Sequence, residues 1–253
     1  MGYILEAACN SCIGKRRSNN EDNFFFHGSC MEAQNHGTQS PLLLEQPLKQ
    51  SLCLAVFDGM GGENYGEMAA FAAAKQLKEF LRKPRAFCAS GEKYLQKMAA
   101  QLNAAVVDEA HRLLTSRMGT TLAALYFTPG KVYSCNVGDS RSYRLRDHVF
   151  TQLSEDHVSK RPMPQGKKPP LTQHLGMDPR EVLLVPSISK GELQQGDQYL
   201  LCSDGLTDMV GEGEIADILT RHSDARSAVL ALTDAALQNG GRDNITVIVC
   251  RVR

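Results

Sequence analysis

The chain has 253 residues, 28 of them Lys or Arg and 28 Asp or Glu, with a mean hydropathy of −0.28. Such a length can bury a large core within the range of one domain, and the cancelled charge removes any global pull toward nucleic acid or an anionic membrane. No apolar run approaches the roughly 20 residues of a membrane span, and Met1 to Glu6 lacks both the basic flank of a secretion signal and the Ser or Thr of a myristoylation motif.

In chain order, Ile4 to Ile13 reads as a first strand and Asn23 to His27 as a second, joined by a polar loop over residues 14–22. Residues 28–50, with scattered Gly, Pro, Gln and Asn and only the short apolar run Leu42-Leu43-Leu44, read as a surface excursion. The apolar run Leu52 to Phe57 then delivers Asp58 to a strand end, and Gly59, Gly61 and Gly62 bare the backbone around it. Ala69, Ala70, Ala73, Leu77, Phe80 and Leu81 recur at helical spacing. Leu95, Met98, Ala99, Leu102, Val106, Ala110 and Leu113 do so again, with the Pro84 region as the break.

From Gly119 the period shortens. Thr120 to Phe127, Val132 to Val137, Ser142 to Leu145 and Val149 to Leu153 read as an antiparallel meander with turns at Pro129-Gly130, Gly138-Asp139 and Asp147-His148. Residues 160–171 should be irregular. Val182 to Ser189 and Gln198 to Cys202 return to strand character, Glu214 to Arg221 and Ala225 to Leu237 to helix, and Ile245 to Val252 closes as a strand. Strands joined by short turns, with two helix pairs, predict an α+β sandwich, its sheets inside and its helices outside.

The eight cysteines fit reduced, buried small hydrophobes, and Cys53, Cys135, Cys202 and Cys250 each lie in an apolar strand-like run. Cys9-x-x-Cys12 has no second pair to make a zinc site. No cysteine precedes a basic, glycine-rich phosphate loop, so a thiol nucleophile has no support.

Carboxylates gather at predicted strand ends. Asp58 follows one strand, Asp204 another in Ser203-Asp204-Gly205, and Asp243 precedes the last, so an antiparallel sheet would bring all three to one rim. Asp139 in its hairpin turn and Glu21-Asp22 in the first loop are within reach of that rim. Six carboxylates together cannot stay ionised unscreened, because like charges a few ångströms apart cost several kcal/mol. Either they lie apart or they bind cations. All-oxygen ligation points to Mg²⁺ or Mn²⁺; two such ions sharing a carboxylate would make hydroxide available at neutral pH, which suits hydrolysis of phosphate esters. Arg17, four residues before Glu21, is the candidate for holding the phosphate oxygens.

Six motifs in order, Arg17-Ser18-Asn19-Asn20-Glu21-Asp22-Asn23, Asp58-Gly59-Met60-Gly61-Gly62, Met118-Gly119-Thr120-Thr121, Val137-Gly138-Asp139-Ser140-Arg141, Ser203-Asp204-Gly205-Leu206 and Gly241-Arg242-Asp243-Asn244, resemble the signature of the type 2C family of metal-dependent Ser/Thr protein phosphatases, in its bacterial single-domain form. The resemblance implies one catalytic domain over residues 1–253, a four-layer α-β-β-α sandwich of two antiparallel sheets flanked by helix pairs. It implies that Asp58 bridges two Mn²⁺ or Mg²⁺ ions, that Gly59 gives its carbonyl oxygen to one, and that Asp204 and Asp243 complete the other. Glu21 and Asp22 would act through metal-bound waters, Asp139 in a weaker third site, and Arg17 on the substrate phosphate. The implied reaction is hydrolysis of phosphoserine and phosphothreonine by a water or hydroxide between the ions, with no phosphoenzyme. Implied too are phosphoprotein partners, including a Ser/Thr kinase or its targets, no nucleic acid or membrane, and a cytoplasmic monomer.

Some departures stand out. Met60 occupies the place where certain members of the family carry a histidine proposed as general acid. His157 reads as structural, Arg141 as a partner for a carboxylate and Met118-Gly119-Thr120-Thr121 as packing at a strand start. The segment after His157 is shorter than in bacterial relatives and basic, with Lys160, Arg161, Lys167 and Lys168; it reads as a solvated loop, or more sharply as a lure for anionic phosphoproteins. Two other functions compete: an idle family member that only binds phosphoproteins or a regulator, and a nucleotide phosphodiesterase, for which no base-binding feature is visible.

Overall fold

The computed structural model describes residues 2–60, 65–82, 91–115, 117–161, 163–164 and 168–253. Its first sheet is built from β1 (Ile4–Cys12), β3 (Leu42–Pro47), β8 (Arg141–Arg146), β9 (Val149–Gln152), β11 (Gln198–Cys202) and β12 (Ile245–Val252), in the order β3-β1-β12-β11-β8-β9. The second holds β2 (Asp22–Phe25), β4 (Leu52–Met60), β6 (Leu122–Thr128), β7 (Lys131–Val137) and β10 (Ser187–Glu192), in the order β10-β7-β6-β4-β2, with the short β5 (Gly119–Thr120) on the end of β4. Every pairing between these strands is antiparallel.

The period-2 alternation of each strand separates three apolar layers. In β4, Leu54 and Val56 face the other sheet and meet Leu201, Ile248 and Cys250 between the sheets. Cys53, Ala55 and Phe57 face outward onto α1 (Gly66–Arg82) and α2 (Gly91–Arg112). The first sheet's outer face, including Tyr143, Leu200 and Val249, is covered by α4 (Glu212–Arg221) and α5 (Ala225–Gln238). Ala69, Ala70, Ala73 and Ala74 make the buried stripe of α1, and such small side chains let the helix lie close to its sheet. The layers run α-β-β-α, as the resemblance implies. Among the described residues no helix is long and apolar enough to cross a membrane.

Four expectations change. The excursion over residues 28–50 contains a strand, β3, which pairs with β1 from Leu42 opposite Cys9 to Pro47 opposite Ile4. Val182 to Val185 is not part of β10, which starts at Ser187. The predicted meander is divided, because β6 and β7 lie in one sheet and β8 and β9 in the other, so Gly138-Asp139-Ser140 is a crossover between sheets instead of a hairpin. The chain after Cys202 forms a further short helix, α3 (Asp204–Thr207). The Pro84 break, Gly61, Gly62 and Lys167 lie outside the described residues.

Candidate metal centre

Asp58 is presented by its backbone. β4 continues through Gly59 to Met60, so Asp58 lies inside the strand, directly opposite Asp22 of β2. Two carboxylates facing each other across an antiparallel pair repel unless something positive lies between them. The Asp58 N–H donates to Thr121 Oγ1 (3.0 Å), and its carbonyl accepts from the Thr121 N–H (2.9 Å) and Thr120 Oγ1 (2.9 Å). Thr121 Oγ1 in turn meets Ser140 Oγ at 2.6 Å, beside Asp139. Thr120 and Thr121, expected only to pack, therefore fix the peptide that carries the carboxylate.

Gly59 sits where α1 crosses β4. A β-carbon there would run into the backbone carbonyls of Gly66 and Glu21, neither of which can retreat. The Gly59 N–H also donates to the Glu21 carbonyl at 3.2 Å.

The second half of the site comes from the other sheet. β11 and β12 are neighbours, so Asp204 at the start of α3 and Asp243 just before β12 emerge side by side, whereas Asp58 belongs to the facing sheet. The expectation of one shared rim in one sheet is thus corrected: the carboxylates meet across the mouth of the sandwich. Ser203 joins the halves, its buried hydroxyl donating to Asp22 Oδ2 (2.7 Å) and accepting from the Thr246 N–H (3.0 Å). Asn244 pins the loop that carries Arg17: its Oδ1 accepts from the Glu21 N–H (2.8 Å), and its Nδ2 donates to the carbonyls of Ile13 (3.0 Å) and Asn19 (2.9 Å). Arg17 Nη2 then reaches Asp243 Oδ2 at 2.7 Å, with its side chain still 48% exposed.

The electrostatics are those of a site short of positive charge. Burial pushes the Asp22 carboxyl up to about 7, with Asp204 and Asp243 adding repulsion against the hydrogen bonds from Ser203 and Thr246. Asp58 is raised well above the usual carboxylate range by burial and by Asp204, Asp22, Asp139 and Asp243. Asp139 is pushed to about 6 by burial and by Asp204. Glu21 is raised by burial and by Glu67. Burial also raises Asp204, against the pull of Lys168.

Among the described residues no three His, Cys, Asp or Glu side chains are already converged as a ligand set. Asp243 is bonded to Arg17, and one oxygen of Asp204 to Lys168. The other, Asp204 Oδ1, is buried with no hydrogen-bond partner. A buried carboxylate oxygen without a donor costs about 1–3 kcal/mol or more. An all-oxygen set containing such an orphan, with neighbours raised by burial and by mutual repulsion, fits a hard divalent cation.

Other singled-out residues are structural. His157 Nδ1 accepts from the Gly138 N–H (3.1 Å), and its own N–H donates to the Gly138 carbonyl (2.9 Å), so it holds the Asp139 crossover. Arg141 makes a two-pronged pair with Asp156, at 2.9 Å and 2.7 Å to Oδ2. Met60 is partly buried opposite Gly119. Cys9, Cys53, Cys135, Cys202 and Cys250 are reduced and buried. Of the basic segment, Lys160 and Arg161 are not buried, but Lys168 is turned inward onto Asp204 and Asp208, which a solvated loop does not predict.

Residues 42–235 match the family model described as Protein phosphatase 2C. The chain is 33% identical over 255 residues to the serine/threonine phosphatase stp of Listeria monocytogenes, covering 93% of this chain and 91% of the relative. It is 34% identical over 218 residues to the serine/threonine protein phosphatase PstP of Mycobacterium tuberculosis, covering 79% of this chain and 40% of that longer one. Among solved structures, PppA of Pseudomonas aeruginosa, described as a key regulatory component of T6SS, superposes with a TM-score of 0.78 at 29% identity, covering 99% of this chain and 100% of that one. The catalytic domain of PstP in complex with two manganese ions superposes with a TM-score of 0.78 at 28% identity, covering 99% of both chains.

Proposed function

Because the chain belongs to the protein phosphatase 2C family, we propose that it removes phosphate from phosphoserine and phosphothreonine of proteins, using divalent manganese or magnesium at the mouth of the sandwich. The observation that carries the reading is the buried Asp204 Oδ1 left without a hydrogen-bond partner, beside Asp22, Asp58 and Asp139, whose carboxyls are raised by burial and by neighbouring carboxylates. Asp58, the Gly59 carbonyl, Asp204 and Asp243 would hold two ions, with Asp58 shared, while Glu21 and Asp22 act at one remove. When bound, the pair supplies the Lewis acidity that makes an attacking water nucleophilic at neutral pH and offsets charge on the phosphoryl oxygens.

The chain's own groups do the rest. Thr120 and Thr121 keep the Asp58 peptide in place, Ser203 orients Asp22, and Asn244 sets the loop from which Arg17 offers its guanidinium. That guanidinium, half-exposed beside Asp243, has donors to spare for two phosphate oxygens. Met60 has no proton to give, and His157 Nδ1 is occupied by the Gly138 N–H, so the proton for the leaving alkoxide falls to a water or a nearby acid group. The water oxygen joins phosphorus as the ester bond breaks, yielding the free hydroxyl amino acid and inorganic phosphate with no phosphoenzyme. The partners are phosphoproteins, among them a Ser/Thr kinase or its targets, met by a cytoplasmic monomer whose whole sandwich serves as one catalytic unit.

The test is release of phosphate from a phosphothreonine peptide with added Mn²⁺. Turnover is expected to vanish with EDTA and to fall about a hundredfold or more in Asp58→Asn and Asp204→Asn. Intact Mn²⁺ binding without turnover by the unaltered chain would favour a phosphoprotein-binding role.

A further inference from the structure

The short basic segment after His157 folds back on itself. Ser159 N–H donates to the Pro170 carbonyl (2.9 Å) and Thr172 N–H to the His157 carbonyl (2.8 Å), so both ends of the loop are tied beside the Gly138-Asp139 crossover. On its returning limb Lys168 leaves the company of the unburied Lys160 and Arg161. Its ammonium bonds to Asp204 Oδ2 and Asp208 Oδ2 together. Those two aspartates lie one helical turn apart on α3 and its C-cap, where like charges repel. Asp139 feels the same ammonium.

We propose that Lys168 is a tethered cation that serves the outer side of the carboxylate centre, in the place where a third divalent ion would otherwise sit. The inference rests on the reading of the centre as a metal site. A lysine suits this work: its ammonium is a compact point charge, its three donors can satisfy two carboxylates at once, and its four-carbon stem lets it reach in from a loop. Its side chain is 52% exposed, so the ammonium holds its seat by the two ion pairs and not by packing. One oxygen of Asp204 is thereby taken from outside, while buried Oδ1 remains for the inner ions. The protein therefore keeps its two inner sites for divalent ions and closes the outer one with its own charge.

The experiment strips the full chain with EDTA and titrates it with Mn²⁺, following heat and the signal of unbound Mn²⁺ in electron paramagnetic resonance. Lys168→Met is expected to take up one more Mn²⁺ per chain than the unaltered protein, or to bind its weakest ion about tenfold more tightly, as removal of one nearby unit charge requires. Adding Asp208→Asn should abolish the gain, and Lys168→Arg should behave as the unaltered chain does. Equal number and affinity, within twofold, in the unaltered chain and Lys168→Met would overturn the inference while leaving the two inner sites standing. An unaltered chain that binds no Mn²⁺ would overturn the metal reading and this inference together. If Lys168→Met fails to fold, Lys168→Gln carries the same expectation.

Discussion

Three hydroxyl groups decide how the two facing aspartates are presented. Thr121 grips the Asp58 peptide, Ser140 grips Thr121, and Ser203 donates a hydrogen bond to Asp22. The carboxylates themselves are legible in the sequence, because an aspartate at the end of an apolar run is out of keeping with a strand unless something there needs it. The hydroxyls are not: Thr120, Thr121 and Ser203 flank the same motifs, but a serine or threonine at a strand end is compatible with packing, capping or bonding, and only the partner 63 or 181 residues away decides which. Ser203→Ala leaves both Asp22 Oδ2 and the Thr246 N–H without that partner in a buried place. We expect a loss of about 2–3 kcal/mol in urea unfolding without divalent ions, with weaker Mn²⁺ binding; an unchanged midpoint would mean that water replaces the hydroxyl.

At the scale of elements, the site is a matter of which sheet each strand joins. Periodicity and turn residues show where most strands and helices lie, and β12 is found from Ile245 to Val252 as expected. They do not show that the chain changes sheet at Gly138, since a crossover and a hairpin both need a turn with a positive φ, here 100°. Val182-Leu183-Leu184-Val185 misleads for a related reason: it has strand composition, but while Leu184 packs against the core, Leu183 is 79% exposed and Val182 and Val185 also face outward. β3 hides because it is an edge strand of mixed polarity. Asn244 is the element-scale fastening, holding residues 13, 19 and 21 to the start of β12. Asn244→Ala should therefore free the Arg17 loop without melting either sheet. Hydrogen exchange should quicken over residues 14–21, Glu21 first, and kcat/KM for a phosphopeptide should fall about tenfold or more through misplacement of the guanidinium. Equal exchange in that loop would contradict the assignment.

For the molecule as a whole, the buried carboxyls tie stability to pH in an unusual direction. Asp22 at about 7 and Asp139 at about 6 hold protons in the folded chain that the unfolded chain has already released, since ordinary carboxyls titrate near about 4. Folded pKa values that are raised make folding take up protons, so the penalty is complete above about pH 7 and fades as pH falls through those values toward the unfolded ones. In EDTA the Tm should rise as pH is lowered from about 8 to about 5.5, against the usual course of acid denaturation. Saturating Mn²⁺ should raise the Tm and remove that slope. A Tm in EDTA that falls steadily with acid would show that the carboxyls ionise freely.

The pairing of β1 with β12 has one more consequence, for the order in which the protein is made. Asp22 and Asp58 leave the ribosome well before Asp243 and β12, the strand that fills the middle of the first sheet. Until β12 inserts between β1 and β11, the emerging chain has a gap in that sheet and lacks Asp243, so the two halves of the mouth cannot meet before β12 has been made. A growing chain of this protein therefore cannot bring its carboxylates together before β12 has joined the sheet.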